Sequence, residues 1–104
     1  MELKETISFM NSKDYKERFI AEYMQTKIRY EKLKAFNAKI EAAQRVRFSD
    51  IVEKIPEPKH DCPTELLEEQ QRAMGQYLHI LEVRAVIEGI DLNKINSKEV
   101  PLNG

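Results

Sequence analysis

The chain has no tryptophan, a single cysteine and only three glycines in 104 residues. A β-sandwich turns too often for so few turn residues, and a phosphate-cradling loop needs a glycine cluster that is missing here. Cys62 cannot form an intrachain disulfide, which fits a reducing compartment. No apolar run approaches the roughly 20 residues of a bilayer-spanning helix. The opening MELKETISFMN also lacks the basic start and apolar centre of a secretory signal, so an intracellular protein is expected. An excess of one charge is missing too. With a net charge of −1, no overall field draws the chain to DNA, RNA or an anionic membrane.

Helix-forming residues dominate what is present. Residues 1–11 carry Leu3, Ile7, Phe9 and Met10, enough for a short helix or docking arm but too little to stand alone. Ser12 offers a helix cap, and residues 13–45 contain neither Gly nor Pro, which predicts a first long helix. Residues 46–62 form a connection: Phe48, Ile51, Val52 and Ile55 point to a short helix capped by Ser49, after which Pro56 and Pro58 forbid a continuous one. Cys62 reads there as a helix cap or a small buried apolar residue. A second long helix is predicted over 63–88, with Pro63 at its first position and Gly89 just past its end. Residues 90–104 are expected to form a short turn and a frayed tail. The fold class is all-α: one domain, a long antiparallel helical hairpin with short flanking helices.

Placing residues 100° apart gathers Tyr15, Phe19, Tyr23, Tyr30, Leu33, Phe36, Ile40 and Ala43 into one stripe of the first helix. Ile20, Met24 and Ile28 fall on a separate flank. The second helix carries Leu66, Leu67, Ala73, Met74, Tyr77, Leu78, Leu81 and Ala85 on its main face, with Val83, Val86 and Ile87 opposite. A hairpin satisfies one stripe per helix, so a homo-oligomer is expected, with Ile20, Met24, Ile28, Met74, Tyr77 and Leu81 at its interface. The alternative is that the N-terminal arm and residues 48–55 cover the surplus within one chain.

No constellation of catalytic or metal-ligating residues emerges, and neither an enzyme, a cofactor nor a metal is expected. His60, Asp61 and Cys62 are consecutive, a spacing that rarely converges on one zinc, and His79 stands apart. Charge is distributed unevenly: residues 25–47 hold seven cations against two carboxylates, whereas residues 63–92 hold two against six. Opposite charges on paired helices would help them associate. Alternatively, Lys27 and its neighbours face an anion while Tyr23 and Tyr30 offer flat surfaces to a base. Arg84 and Glu88 project from the main apolar face, either as a mutually paired i, i+4 couple or, for Arg84, as a phosphate contact. Tyr23, Lys27, Tyr30 and Arg84 are therefore the candidate ligand-binding residues. No helix-turn-helix signature is present, and nucleic acid is not an expected partner.

Tyr15, Arg18, Glu22 and Tyr23 fit a pattern YKxRxxxEY. Leu66, Leu67, Gln70, Ala73, Met74, Tyr77, Ile80, Leu81, Arg84 and Glu88 fit LLxxQxxAMxxYxxILxxRAxxEGI. In both, the chain resembles a widespread group of small bacteriophage proteins that includes members from crAss-like gut phages. The resemblance implies a phage accessory protein in the host bacterial cytoplasm that interferes with host defence. Two functions follow from it: an oligomeric sponge for a cyclic oligonucleotide or ADP-ribose-type immune signal, or an inhibitor that occupies a host defence protein, as an anti-CRISPR does.

Overall fold

The computed structural model describes residues 3–50 and 54–93. A 3₁₀ turn, Leu3–Thr6, runs into a short helix α1, Ile7–Met10; two long helices follow, α2 over Tyr15–Val46 and α3 over Thr64–Glu88. Among the described residues there is no strand. The long helices pack against each other as an antiparallel hairpin. At a rise of 1.5 Å per residue α2 is ~48 Å long. The hairpin is correspondingly rod-like, with a radius of gyration of 18.0 Å, against about 13 Å for a globular domain of this length.

Local chemistry sets the helix ends. Asp14, rather than Ser12, caps α2: its carboxylate accepts from the Lys16 N–H at 2.9 Å, while the Ser12 hydroxyl accepts from the Asp14 N–H at 3.0 Å and shapes the approach. At the other end the Lys54 ammonium donates to the carbonyls of Val46 and Ser49, satisfying acceptors that the helix leaves open. Pro63 occupies the cap of α3 and Thr64 is its first helical residue. Gly89 ends α3 in the left-handed region at φ 68°, which a glycine adopts without strain, and the Ile90 N–H returns to the Ala85 carbonyl at 2.8 Å. That turn buries Ile90.

The main core lies toward the end of the hairpin where α2 begins and α3 finishes. Phe9, Phe19, Ile20, Ala21, Tyr23, Met24, Leu78, Leu81, Ala85 and Ile90 form it, with Tyr30 and Leu92 packed on its margin. Phe9 comes from the N-terminal arm. Thr6 is fully buried, its hydroxyl donating to the Leu3 carbonyl and accepting from the Gln25 amide, so the arm is held to α2 by polar as well as apolar contact. Ile20 and Met24, expected at an oligomer interface, are thus covered inside one chain at 1% and 7% exposure. Leu81 is likewise buried at the hairpin seam, while Ile28 and Met74 are half-buried. Tyr77 stays exposed, its hydroxyl donating to Glu22 of the facing helix. The largest group of neighbouring exposed apolar residues among those described is on the other face of α3, where Ile80, Val83, Val86 and Ile87 are 44% to 83% exposed.

The connection differs from its expected form. Residues 47–50 are turns and 54–60 have no regular structure, so no helix is found in the described part of it; Ile51 and Val52 lie outside the described residues, as does the tail beyond residue 93. Phe48 is 91% exposed, and Cys62 is exposed rather than buried. A clasp at His60 holds this segment in place. The ring's Nε2 faces the Glu57 carboxylate at 2.9 Å and Nδ1 faces the Cys62 carbonyl at 2.8 Å. It packs nearly perpendicular to the Phe36 ring, with centroids 6.2 Å apart, and Arg47 at the end of α2 holds the other oxygen of Glu57 at 2.8 Å.

Two outcomes are expected of this fold. Replacing Ile20 by Ala should cost about 2–4 kcal/mol in urea unfolding, because a cavity opens in the core, whereas Val86→Ala should change stability by less than about 0.5 kcal/mol. The clasp is pH-dependent. The hydrogen bond that the His60 ring donates to Glu57, with help from the Cys62 carbonyl, raises the His60 pKa above 6.5, so its stabilisation is complete below pH 6.5 and disappears as pH climbs through the raised value. Stability measured across that range should fall in the native protein and stay level in His60→Gln.

Candidate functional site

The side of the hairpin that carries Tyr23 holds a groove between the two helices. From α2 it is lined by Tyr23, Lys27, Tyr30 and Glu31, and from α3 by Gly75, Leu78, His79 and Glu82, around a volume of about 210 Å³. Each set recurs every three or four residues, which places it on one stripe of its helix. Tyr23 is buried, and its hydroxyl donates to the Glu82 carboxylate at 2.6 Å across the seam. Lys27 lies over the Tyr23 ring at 5.8 Å and Lys34 over the Tyr30 ring at 6.0 Å. Both ammonium groups thus rest on aromatic faces while staying in reach of solvent. Gly75 gives the Tyr30 ring room: a Cβ at that position would stand 3.2 Å from the ring, tighter than an ordinary contact.

Three of the four expected ligand residues, Tyr23, Lys27 and Tyr30, therefore come together. Arg84 does not join them. It follows Glu82 by two positions, roughly 200° round the helix, and so faces away from the groove. Its guanidinium donates to the Tyr15 hydroxyl at 2.7 Å, pairs with Glu88 at 3.2 Å and lies 5.0 Å over the Phe19 ring. The i, i+4 pairing with Glu88 is thus formed, with Tyr15 as a third member that also donates to Glu88 at 2.9 Å. The cluster ties the start of α2 to the end of α3 and engages the Arg84 guanidinium through Nε and one terminal nitrogen.

Sequence reasoning missed His79, Glu82 and Gly75. The signal available was the i, i+4, i+7 spacing of Gly75, His79 and Glu82 on α3; which stripe of α2 they would face depends on the rotation of the two helices about their axes. The charge asymmetry plays a different part from direct pairing. Among the described residues no Lys or Arg of α2 forms an ion pair with a carboxylate of α3. The cross-helix carboxylates instead accept from tyrosines: Glu82 from Tyr23, Glu88 from Tyr15 and Glu22 from Tyr77. The α2 cations find other partners: Arg45 pairs with Glu41 of its own helix, Arg18 donates to the Ser12 carbonyl, and Lys27 and Lys34 rest on tyrosine rings.

Burial, with the nearby Glu82 carboxylate adding to it, pushes the Tyr23 pKa up to about 12 from the ordinary 10.0. The phenol is a settled hydrogen-bond donor at neutral pH, not a nucleophile or base.

Fold and groove together define a small helical-hairpin protein with a shallow, aromatic and charged cleft along its seam. The chain belongs to the Sequestin family, whose model matches residues 13–87 and so spans both long helices and the groove. The name denotes sequestration. No curated protein and no solved structure matches the chain.

The Tyr23 to Glu82 bond yields a direct check. In a spectrophotometric titration of the native protein the last tyrosine should ionise near pH 12, and Tyr23→Phe should remove that phase. The raised value stabilises the fold fully below pH 10 and ceases to do so as pH rises through 12. Alkaline unfolding should therefore be less steep in the phenylalanine variant.

Proposed function

We propose that this protein sequesters a small phosphorylated signal, of the cyclic oligonucleotide or ADP-ribose class, by holding it in the α2–α3 groove. It would act in the cytoplasm of a bacterial host as a phage anti-defence protein. The observation that carries the reading is the juxtaposition of Tyr23, Lys27 and Tyr30 along one cleft. Aromatic faces suit a base and an ammonium group suits a phosphate. A protein that sequesters needs no catalytic group, only affinity, and the groove offers binding surfaces without an activated nucleophile.

Size supports a shared site. At about 210 Å³ the Tyr23–Tyr30 cleft is smaller than the roughly 300–1,000 Å³ typical of ligand pockets. The uncovered patch of Ile80, Val83, Val86 and Ile87 lies beside it on α3. A homo-oligomer in which one copy covers that patch and closes the groove of the next fits both facts. The second reading is an inhibitor that docks on a host defence protein, and it is favoured by the same patch: apolar residues set in an acidic helix suit a protein surface with basic edges.

Thermal unfolding separates the two. With cyclic di- and trinucleotides and cyclic ADP-ribose isomers each added in turn, a ligand at 100 times its Kd should stabilise the protein by about 2.7 kcal/mol, a rise of roughly ten degrees in a domain of this size. A selective shift that Lys27→Gln diminishes supports sequestration of a signal. No shift with any compound, from a folded protein, overturns it in favour of the protein-binding reading.

A further inference from the structure

The groove does not stop at Tyr30. Beyond that ring, toward the connection, a second cleft of about 380 Å³ is lined by Lys34, Asn37, Ala38 and Glu41 of α2 and by Glu68, Gln71 and Arg72 of α3. Positions 23, 27, 30, 31, 34, 37, 38 and 41 fall within a single arc of roughly 120° on α2, and positions 68 to 82 of the lining do the same on α3. The two clefts follow one another along the same side of the seam, together spanning ~27 Å of α2, with Tyr30 against Gly75 between them; we treat them as one trough.

Asn37 sets the second cleft apart. It is 93% buried, as its 7% exposure states, and its amide nitrogen donates to the Leu67 carbonyl at 3.2 Å and to the Gln71 side-chain oxygen at 2.9 Å. These two bonds fix which end of the amide is oxygen, because the Leu67 carbonyl can only accept. The remaining atom, Oδ1, is shut off from solvent and has no hydrogen-bond partner. A buried acceptor left unpaired is costly, and an aliphatic residue of similar shape would avoid that cost in a position used for packing alone. Around it Lys34 and Arg72 are exposed and form no ion pair among the described residues, while Gln71 is half-buried and attached to Asn37 by one bond.

We infer that this second cleft is a subsite for the amino-bearing base and phosphate of the sequestered signal, with Asn37 accepting from an N–H of the base and Lys34 and Arg72 meeting the phosphate. The inference rests on the sequestration reading and extends it from the Tyr23–Tyr30 cleft to the whole trough. Because Oδ1 is enclosed in the free chain, binding includes a shift of neighbouring side chains to open a path to it, among them the half-buried Gln71, which is bonded to the Asn37 nitrogen. An acceptor of this kind discriminates: a ligand group without an N–H leaves Oδ1 unpaired as before, whereas an amino group relieves it. Glu41 and Glu68 at the rim disfavour a ligand that carries phosphates at every edge, which restricts the anionic part to the Lys34 and Arg72 side.

The test is isothermal titration of the full chain with cyclic di-AMP, cyclic di-GMP, a cyclic tri-adenylate and cyclic ADP-ribose, using the native protein, Asn37→Leu, the double variant Lys34→Gln/Arg72→Gln and Lys27→Gln. Asn37→Leu is expected to remain folded without ligand, since it loses two seam hydrogen bonds but also the unpaired buried acceptor, and to bind at least tenfold more weakly. The double variant, altered only at exposed positions, is expected to fold normally and to lose binding to a similar degree, so the proposal is tested even if Asn37→Leu fails to fold. Native affinity that Lys27→Gln weakens but the double variant leaves unchanged would overturn the subsite and leave the sequestration reading intact. Absence of binding by the native protein to all four compounds would overturn both.

Discussion

The seam between α2 and α3 is the constraint on which the rest of the molecule depends. Two helices of this length can slide along and rotate about each other unless something fixes their register, and apolar contact alone is forgiving of both motions. Here the register is held by directional bonds from tyrosine hydroxyls to carboxylates on the facing helix, Tyr23 to Glu82, Tyr15 to Glu88 and Tyr77 to Glu22, together with Asn37 to Gln71 and the Leu67 carbonyl. These bonds occur at intervals along the whole hairpin. The Tyr23 and Asn37 bonds are partly buried, where an unsatisfied polar group is expensive, while Tyr15 to Glu88 and Tyr77 to Glu22 lie at the exposed edges of the seam.

Packing strength is unequal along the rod, and the site follows from that inequality. The end where the N-terminal arm, the start of α2 and the finish of α3 converge holds nearly all the buried aromatic and aliphatic side chains. The end nearer the connection buries Ile40, Ala43 and the polar Asn37. A trough running from the well-packed end to the sparsely packed one therefore has a rigid half, walled by Tyr23 and Leu78, and a more polar half walled by Asn37 and Gln71. Rigid aromatic walls suit stacking. Polar walls suit hydrogen-bond recognition, and the two halves together give the open groove a chemical direction.

The N-terminal arm changes how the surplus apolar surface is shared out. By covering Ile20 and Met24, Phe9 and its neighbours leave the outer face of α3 as the main open apolar surface among the described residues. A family defined over residues 13–87 matches the two helices and the trough but not the arm. The arm lies outside the matched residues and decides which faces of the hairpin stay open.

Much of the fold was legible in the residues alone. The absence of Gly and Pro from 13 to 45, the pair of prolines at 56 and 58, and Gly89 placed the two helices to within a residue or two, because backbone propensity and capping are local chemistry. Tyr23, Lys27 and Tyr30 could be grouped for the same reason, since they share one stripe of one helix. Arg84 could not be assigned from its own helix: the choice between groove and hairpin end depends on the rotation of α3 against α2, which brings it to Tyr15 and Phe19. The same holds for Asn37, whose type and position give no sign that one of its atoms is buried without a partner. Periodicity determines which residues share a face of a helix; only the packing of one helix on another decides what that face meets.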